Sequence, residues 1–258
     1  MNAEELKIPV RKEKFLWGTL YTASDGGRSD KGLVILCHGF TGDQNEWGRF
    51  VKTANQLNIA GFDALTFDFA GSGKNKREPV LLSKQISNLM DVYEWAVSVG
   101  YNKLATIGLS FGGITSLFAQ SPKRYAAVFW APGFYLEEAL SPVEKFFSKV
   151  FGFLFSTKTI KRASKNNDPI LVNAQFLKEM DRYDSNGALK ESNKPALIIQ
   201  GTADKTVNAE LNYKAINYFP DELDCKLVKV EGATHDFDGE HLDQFIDHSI
   251  EWLHKHLN

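Results

Sequence analysis

The polar and apolar positions of this chain fall into short apolar runs that alternate with amphipathic stretches. Leu33-Val34-Ile35-Leu36-Cys37 is apolar at every position, the pattern of a strand covered on both faces in a parallel sheet. It ends at His38-Gly39-Phe40-Thr41-Gly42. A helical spacing from about Trp47 to Ala60 then stops at Gly61, a good helix terminator because glycine enters the left-handed region without steric cost. The same unit recurs: a strand over 62–67, a loop from Asp68 to Pro79, a helix from about Ser83 to Val99 closed by Gly100. A further apolar run from Leu104 leads into a helix that extends to Gln120, and Tyr125 to Trp130 reads as another buried strand. Upstream, residues 5–22 read as two strands joined by a turn, with Phe15, Trp17 and Thr19 on one side of a period-2 pattern and Asp25-Gly26-Gly27 as punctuation. They predict an antiparallel edge.

The alternation breaks between Phe134 and Asn193 and then resumes. Strand 195–200 ends at Gly201-Thr202-Ala203-Asp204, followed by a helix near 208–218, a strand over 225–230, and a last helix from about Glu240 to Leu257. About sixty residues without a clear strand is too long for a plain connection, so residues 134–193 are expected to be an inserted helical cap on a core formed by 1–133 and 194–258. The prediction is an α/β domain: a mostly parallel, doubly wound sheet with helices on both faces.

Composition narrows the function. A formal net charge of -2 with 24% charged residues carries no excess of either sign that would recruit nucleic acid. Cys37 and Cys225 each lie in a strand-like run and read as reduced core residues. The charged start, Met1 to Lys7, is followed by no apolar stretch of signal-peptide length, and no segment is apolar over a membrane-spanning length. The expectation is a soluble, cytoplasmic protein without stable membrane insertion.

The candidate chemistry centres on Gly108-Leu109-Ser110-Phe111-Gly112. A serine between strand and helix, flanked by glycines two residues away on each side, can occupy a sharply turned backbone because no Cβ atoms collide there. The triplet pattern alone arises by chance in roughly one chain of this length in ten, so its placement carries the weight. In open α/β sheets ligands collect beyond the carboxyl ends of the strands, where Ser110, Asp204 and His235 all fall. Serine needs a base within reach, and the base needs an anion behind it. Among the six histidines, His241, His248, His254 and His256 fall on the polar terminal helix and read as solvated surface residues. His38, directly after a buried strand, reads as a structural residue bonded to backbone, which leaves His235. Asp236 is adjacent to His235 and would point away from its ring, and Asp68 reads as ordering its own loop; Asp204 is the better acid.

With these residues in place the chain resembles the α/β-hydrolase superfamily, over nearly its whole length. The pairing of His38-Gly39-Phe40-Thr41-Gly42 with Phe67-Asp68-Phe69-Ala70-Gly71-Ser72-Gly73 is most similar to cinnamoyl and feruloyl esterases. The resemblance implies Ser110 as nucleophile, His235 as base, Asp204 as acid, and an oxyanion hole from the backbone N–H groups of Phe40 and Phe111. It implies a serine hydrolase acting on small-molecule carboxylic esters through an acyl-enzyme, with no cofactor. A thioesterase or monoacylglycerol-lipase-like hydrolase is the main alternative; a peptidase and a non-catalytic binding member of the fold stand behind it.

Two further stretches bear on this reading. Gly71-Ser72-Gly73-Lys74-Asn75 looks like a phosphate loop, but Asp68 stands where the Walker pattern needs glycine and Asn75 where it needs Ser or Thr. No cysteine or histidine spacing suggests a metal site. In the insertion, Phe146, Phe147, Phe151, Phe153 and Phe155 interleave with Lys145, Lys149, Lys158, Lys161, Arg162 and Lys165. This suits an amphipathic helical pair whose phenylalanines pack on the core, and some of them are expected to roof an acyl pocket, or the basic face to meet an anionic substrate or lipid surface.

Overall fold

Leu33–Cys37 forms strand β3, and every one of its side chains is buried. Successive residues face opposite layers. Val34 and Leu36 pack with Phe50, Ala54 and Leu57 on one side, while Ile35 and Cys37 pack with Leu89, Val92 and Ala96 on the other. A strand that must satisfy two apolar layers has no room for polar alternation.

The computed structural model describes residues 2–12, 14–23, 32–135, 160–163, 169–180 and 182–257. Around β3 the chain runs β1 (Asn2–Ile8), β2 (Leu16–Thr22), β3, α1 (Arg49–Ile59), β4 (Asp63–Phe67), α2 (Leu82–Ser98), β5 (Leu104–Leu109), α3 (Phe111–Phe118) and β6 (Arg124–Trp130). It continues through β7 (Ile160–Ala163), β8 (Pro169–Val172), α4 (Ala174–Met180), α5 (Ser185–Lys190), β9 (Ala196–Gly201), α6 (Ala209–Ala215), β10 (Cys225–Val230) and α7 (Gly239–Leu257). Eight strands make one sheet in the order β1-β2-β4-β3-β5-β6-β9-β10. Its first two pairings are antiparallel and the remaining five parallel. This is the α/β-hydrolase fold, antiparallel edge included.

Helix α7 anchors the end of the sheet that carries His235. Trp130 of β6 is fully buried, its ring edge-on to Phe237 and Phe245 at 5.7 Å, and its indole N–H donates to Ser249 Oγ at 2.9 Å. Truncating a tryptophan so enclosed costs about 3–5 kcal/mol, far more than any surface contact of this helix.

Several elements differ from expectation. Helix α1 begins at Arg49, two residues later than the spacing predicts, because Glu46 and Trp47 hold positive φ of 45° and 54° in a short 3-10 turn. Helix α3 ends at Phe118, where Arg124 caps carbonyls of the last turn at Ser116 and Ala119. Residues 134–193 contain a strand pair as well as helices: β7 and β8 run antiparallel, from Ile160 opposite Val172 to Ala163 opposite Pro169. The Ile170-Leu171-Val172 run that forms β8 has β propensity. The phenylalanines from 146 to 155 lie outside the described residues. Finally, His254 and His256 are half-buried rather than fully solvated: their rings pack at 5.0 Å from Phe62 and 4.3 Å from Trp252, and His256 lies 3.0 Å from Asp224.

Candidate active site

Strand β5 delivers Ser110 onto a bend with φ 53° and ψ -113°, outside the regions that a residue with a Cβ ordinarily occupies. The bend is held from three sides. Ser110 N–H donates to Trp130 O at 2.9 Å, and Ser110 O accepts from Gly113 N at 3.0 Å and Gly133 N at 2.8 Å. Glycine at 112 is obligatory here, since a Cβ would collide with the Cys37 carbonyl.

Asp204 and His235 arrive from the neighbouring strands β9 and β10. Their loops are laced together: Thr202 N bonds Val230 O and Ala203 N bonds Ala233 O, both at 3.0 Å, and Gly232 N bonds Thr202 Oγ at 2.9 Å. A side chain at Gly201 would strike Ala233 O, so this close approach depends on glycine. The structure brings together the three residues expected from sequence. His235 Nε2 lies 3.1 Å from Ser110 Oγ, and His235 Nδ1 lies 2.8 Å from Asp204 Oδ2.

Asp204 is fully buried at its side chain and surrounded by donors. Oδ1 accepts from Thr206 N at 2.8 Å and Val207 N at 3.1 Å; Oδ2 accepts from Gln200 Nε2 at 3.1 Å as well as facing His235. Burial is the largest single influence and pushes its carboxyl up, but His235 and the two loop N–H groups together outweigh it and hold the group below its ordinary range. The acid therefore stays ionised at neutral pH.

The other candidates fall where the sequence reading put them. His38 is fully buried, with Nδ1 2.8 Å from Gly39 O and Nε2 accepting from Phe69 N at 3.1 Å. That pattern makes it a neutral ring with the proton on Nδ1. Asp68 accepts from Gln44 N at 2.7 Å and Lys74 N at 2.8 Å, and burial raises its carboxyl. Its carboxylate lies against Gly73, filling the loop that resembled a phosphate site. Asp236 is exposed, and the acid facing His235 Nδ1 is Asp204.

A cavity of about 340 Å³ opens beside Ser110 and His235, bordered by Phe40, Trp47, Arg49 and Asp236. A larger one, about 540 Å³, is lined by Asp204, Tyr135 and Tyr213. Of these two, the first includes both the serine and the histidine. Among the described residues no group of His, Cys, Asp and Glu could hold a metal ion, and no helix is long and apolar enough to cross a membrane.

Sequence reasoning passed over four residues. Gln200 and Asn212 form a buried amide chain behind the acid, with Asn212 Nδ2 2.8 Å from both Gln200 Oε1 and Pro132 O. A glutamine in the otherwise apolar strand before Asp204 was the available signal. Glu46 accepts from Gly39 N at 2.6 Å. The Phe176 ring of α4 lies tilted at 5.1 Å from Phe40 and 5.7 Å from Phe111, and no local pattern announces that contact.

The family model for Hydrolase_4, described as serine aminopeptidase, S33, matches residues 28–187, more than half of the chain. The chain belongs to this family. Among curated relatives, a carboxylesterase of Bacillus subtilis (strain 168) is 37% identical over 89 residues, a match covering 33% of this chain and 34% of that protein. The chain thus aligns with about a third of the length of the curated relatives it matches. Among solved structures, Est1E from Butyrivibrio proteoclasticus with ferulic acid bound superposes with TM-score 0.79 at 23% identity, covering 94% of this chain and 96% of that one. The monoacylglycerol lipase of Paleococcus ferrophilus gives TM-score 0.76 at 21% identity, over 93% of this chain and 99% of that one. At these identities the two structures speak to the fold of this family member.

Proposed function

We propose that the protein cleaves carboxylic esters of small to medium hydrophobic or aromatic acids through an acyl-enzyme on Ser110. The observation that carries this is the unbroken line from Ser110 Oγ through His235 to a fully buried, ionised Asp204. Ser110 Oγ attacks the ester carbonyl while His235 Nε2 takes its proton, and Asp204 stabilises the imidazolium. The carbonyl oxygen becomes an oxyanion held by the N–H groups of Phe40 and Phe111. Collapse expels the alcohol, protonated by His235; water, deprotonated by the same nitrogen, then releases the acid and restores Ser110.

Phe111 opens helix α3, so its N–H is one of the donors without an intrahelical partner. The Gly39 carbonyl accepts from Gly42 N at 3.1 Å and faces His38 Nδ1 at 2.8 Å. In a trans peptide that turns the Phe40 N–H the opposite way. Residues 134–193 serve as a cap over this face, and Phe176, against Phe40 and Phe111, supports that role. An apolar wall separates substrates by only about 1–3 kcal/mol per methylene, which favours broad acceptance.

Turnover of p-nitrophenyl acetate, labelling by a fluorophosphonate, and loss of both in Ser110→Ala test the assignment; substantial residual turnover in that variant would sink it. A peptide substrate has one observation in its favour, the description of the matching family as serine aminopeptidase, S33. Ester, thioester, monoacylglycerol and aminoacyl-amide substrates compared by kcat/KM separate these readings. We also propose a cytoplasmic setting, supported by the unpaired Cys37 and Cys225, whose thiols burial pushes up, that of Cys225 to about 11. Recovery of the protein in a secreted, periplasmic or membrane fraction of the cells that make it would argue against it.

A further inference from the structure

We propose that Glu46 is a positioning residue for the oxyanion turn, holding the Gly39–Phe40 peptide in the orientation that catalysis needs. The inference rests on the ester-hydrolase reading and goes beyond it, because Glu46 belongs neither to the nucleophile line nor to the two donors.

Glu46 is 1% exposed, yet it sits between Gly39 and Gly42 rather than in the apolar core. Its Oε1 accepts from Gly39 N at 2.6 Å. A Cβ on Gly42 would collide with the same carboxylate, so the turn is wrapped around it. Oε2 accepts from Arg49 Nη2 at 2.8 Å, and Arg49 Nε donates to Glu46 O at 3.3 Å. The guanidinium is itself held between the Trp47 and Phe237 rings, 5.4 and 5.5 Å from their centroids.

The backbone is bent to place this carboxylate. Glu46 and Trp47 both take positive φ, and Asp43 stabilises the bend by accepting from Asn45 N and Glu46 N through its side chain at 2.8 and 3.3 Å. Two consecutive strained residues persist only where the surroundings demand them. What they achieve is a donor fixed before substrate arrives. Glu46 holds the Gly39 N–H on one side of the glycine, and His38 and Gly42 hold its carbonyl on the other. The peptide between Gly39 and Phe40 then has no freedom to rotate, and the Phe40 N–H needs no reorganisation when the oxyanion forms. Arg49 cancels the charge that would otherwise oppose that oxyanion.

The test compares Glu46→Ala and Glu46→Gln with wild type on p-nitrophenyl acetate and on a trifluoromethyl ketone, whose hemiketal oxyanion needs the same donors. Losing a whole oxyanion donor costs about 10²–10³ in kcat, so loosening one should lower kcat about 10–100-fold in Glu46→Ala. KM should stay within about threefold, and ketone affinity should fall in step with kcat/KM. Glu46→Gln, which keeps an acceptor for Gly39, should lie between, and it carries the test if the alanine variant does not fold. Wild-type kcat in a folded Glu46→Ala or in Glu46→Gln, or a loss expressed in KM with ketone affinity intact, overturns the proposal. Fluorophosphonate labelling of wild type separates the two levels. An unlabelled, inactive wild type defeats the ester-hydrolase reading itself, whereas a labelled wild type with unaffected variants defeats only the role of Glu46.

Discussion

Gln200 donates to Asp204 on Oδ2, the same carboxylate oxygen that faces His235, at 3.1 Å against 2.8 Å. The amide is fully buried and its own oxygen accepts from Asn212, so the acid is fixed from behind by a chain that reaches the Pro132 carbonyl. Gln200→Met keeps the length but removes the donor. We expect a stability loss of about 1–3 kcal/mol from the broken buried hydrogen bonds. The acid limb of kcat/KM against pH should also move upward, because a carboxylate with one donor fewer takes a proton more readily and holds the imidazolium more tightly. An unmoved acid limb would reduce Gln200 to a packing residue.

Ser110 is strained at φ 53°, ψ -113°, and the strain belongs to any side chain there. Ser110→Gly should therefore be more stable than Ser110→Ala by about 1 kcal/mol, although glycine normally loses to alanine by a similar amount elsewhere. Both should be inactive. Calorimetry on the pair decides it: alanine melting above glycine would mean that the bend is unstrained.

Phe176, half-buried, touches the side chains of both residues assigned to the oxyanion hole. Its helix is tied to α2 through Glu179, which accepts from Ser83 Oγ at 2.7 Å and Ser83 N at 3.2 Å. Phe176→Ala should cost about 1–3 kcal/mol and shift preference toward longer or bulkier acyl groups. A series of p-nitrophenyl esters measures this, and an unchanged chain-length profile would mean that α4 packs on the site without lining it.

The pH dependence of stability follows from Asp204. Its carboxyl lies below the ordinary range in the folded state, so on acidification the unfolded chain takes up that proton first. The contribution is complete above about pH 4 and is lost as pH falls through the folded value. Asp204→Asn lacks it, so the difference in Tm between wild type and variant should narrow between about pH 6 and about pH 3. At neutral pH the same variant should lose about 10³–10⁴ in kcat, since the histidine tautomer is no longer enforced. A constant Tm difference across that range would contradict the lowered carboxyl.

The alternation of apolar runs and amphipathic stretches determined the layered parallel sheet, because a strand buried on both faces tolerates no polar alternation and says so locally, as Leu33–Cys37 does. Ser110, Asp204 and His235 were legible for a related reason. Each stands just past a strand end, and parallel topology carries all such ends to one edge of the sheet. What the tertiary structure alone decided are contacts between residues distant in sequence or bent against their own propensity. Phe176 meets Phe40 across 136 positions of chain, which no spacing encodes. Glu46 and Trp47 interrupt an amphipathic pattern that would have begun helix α1 early: they take positive φ, and the Glu46 carboxylate turns back to accept from Gly39 N, a contact seven residues upstream that the spacing does not encode. His256 reads as a solvated residue until Asp224 and the Trp252 ring close around it. Period and turn chemistry are properties of neighbours in the chain; these last arrangements are properties of neighbours in space.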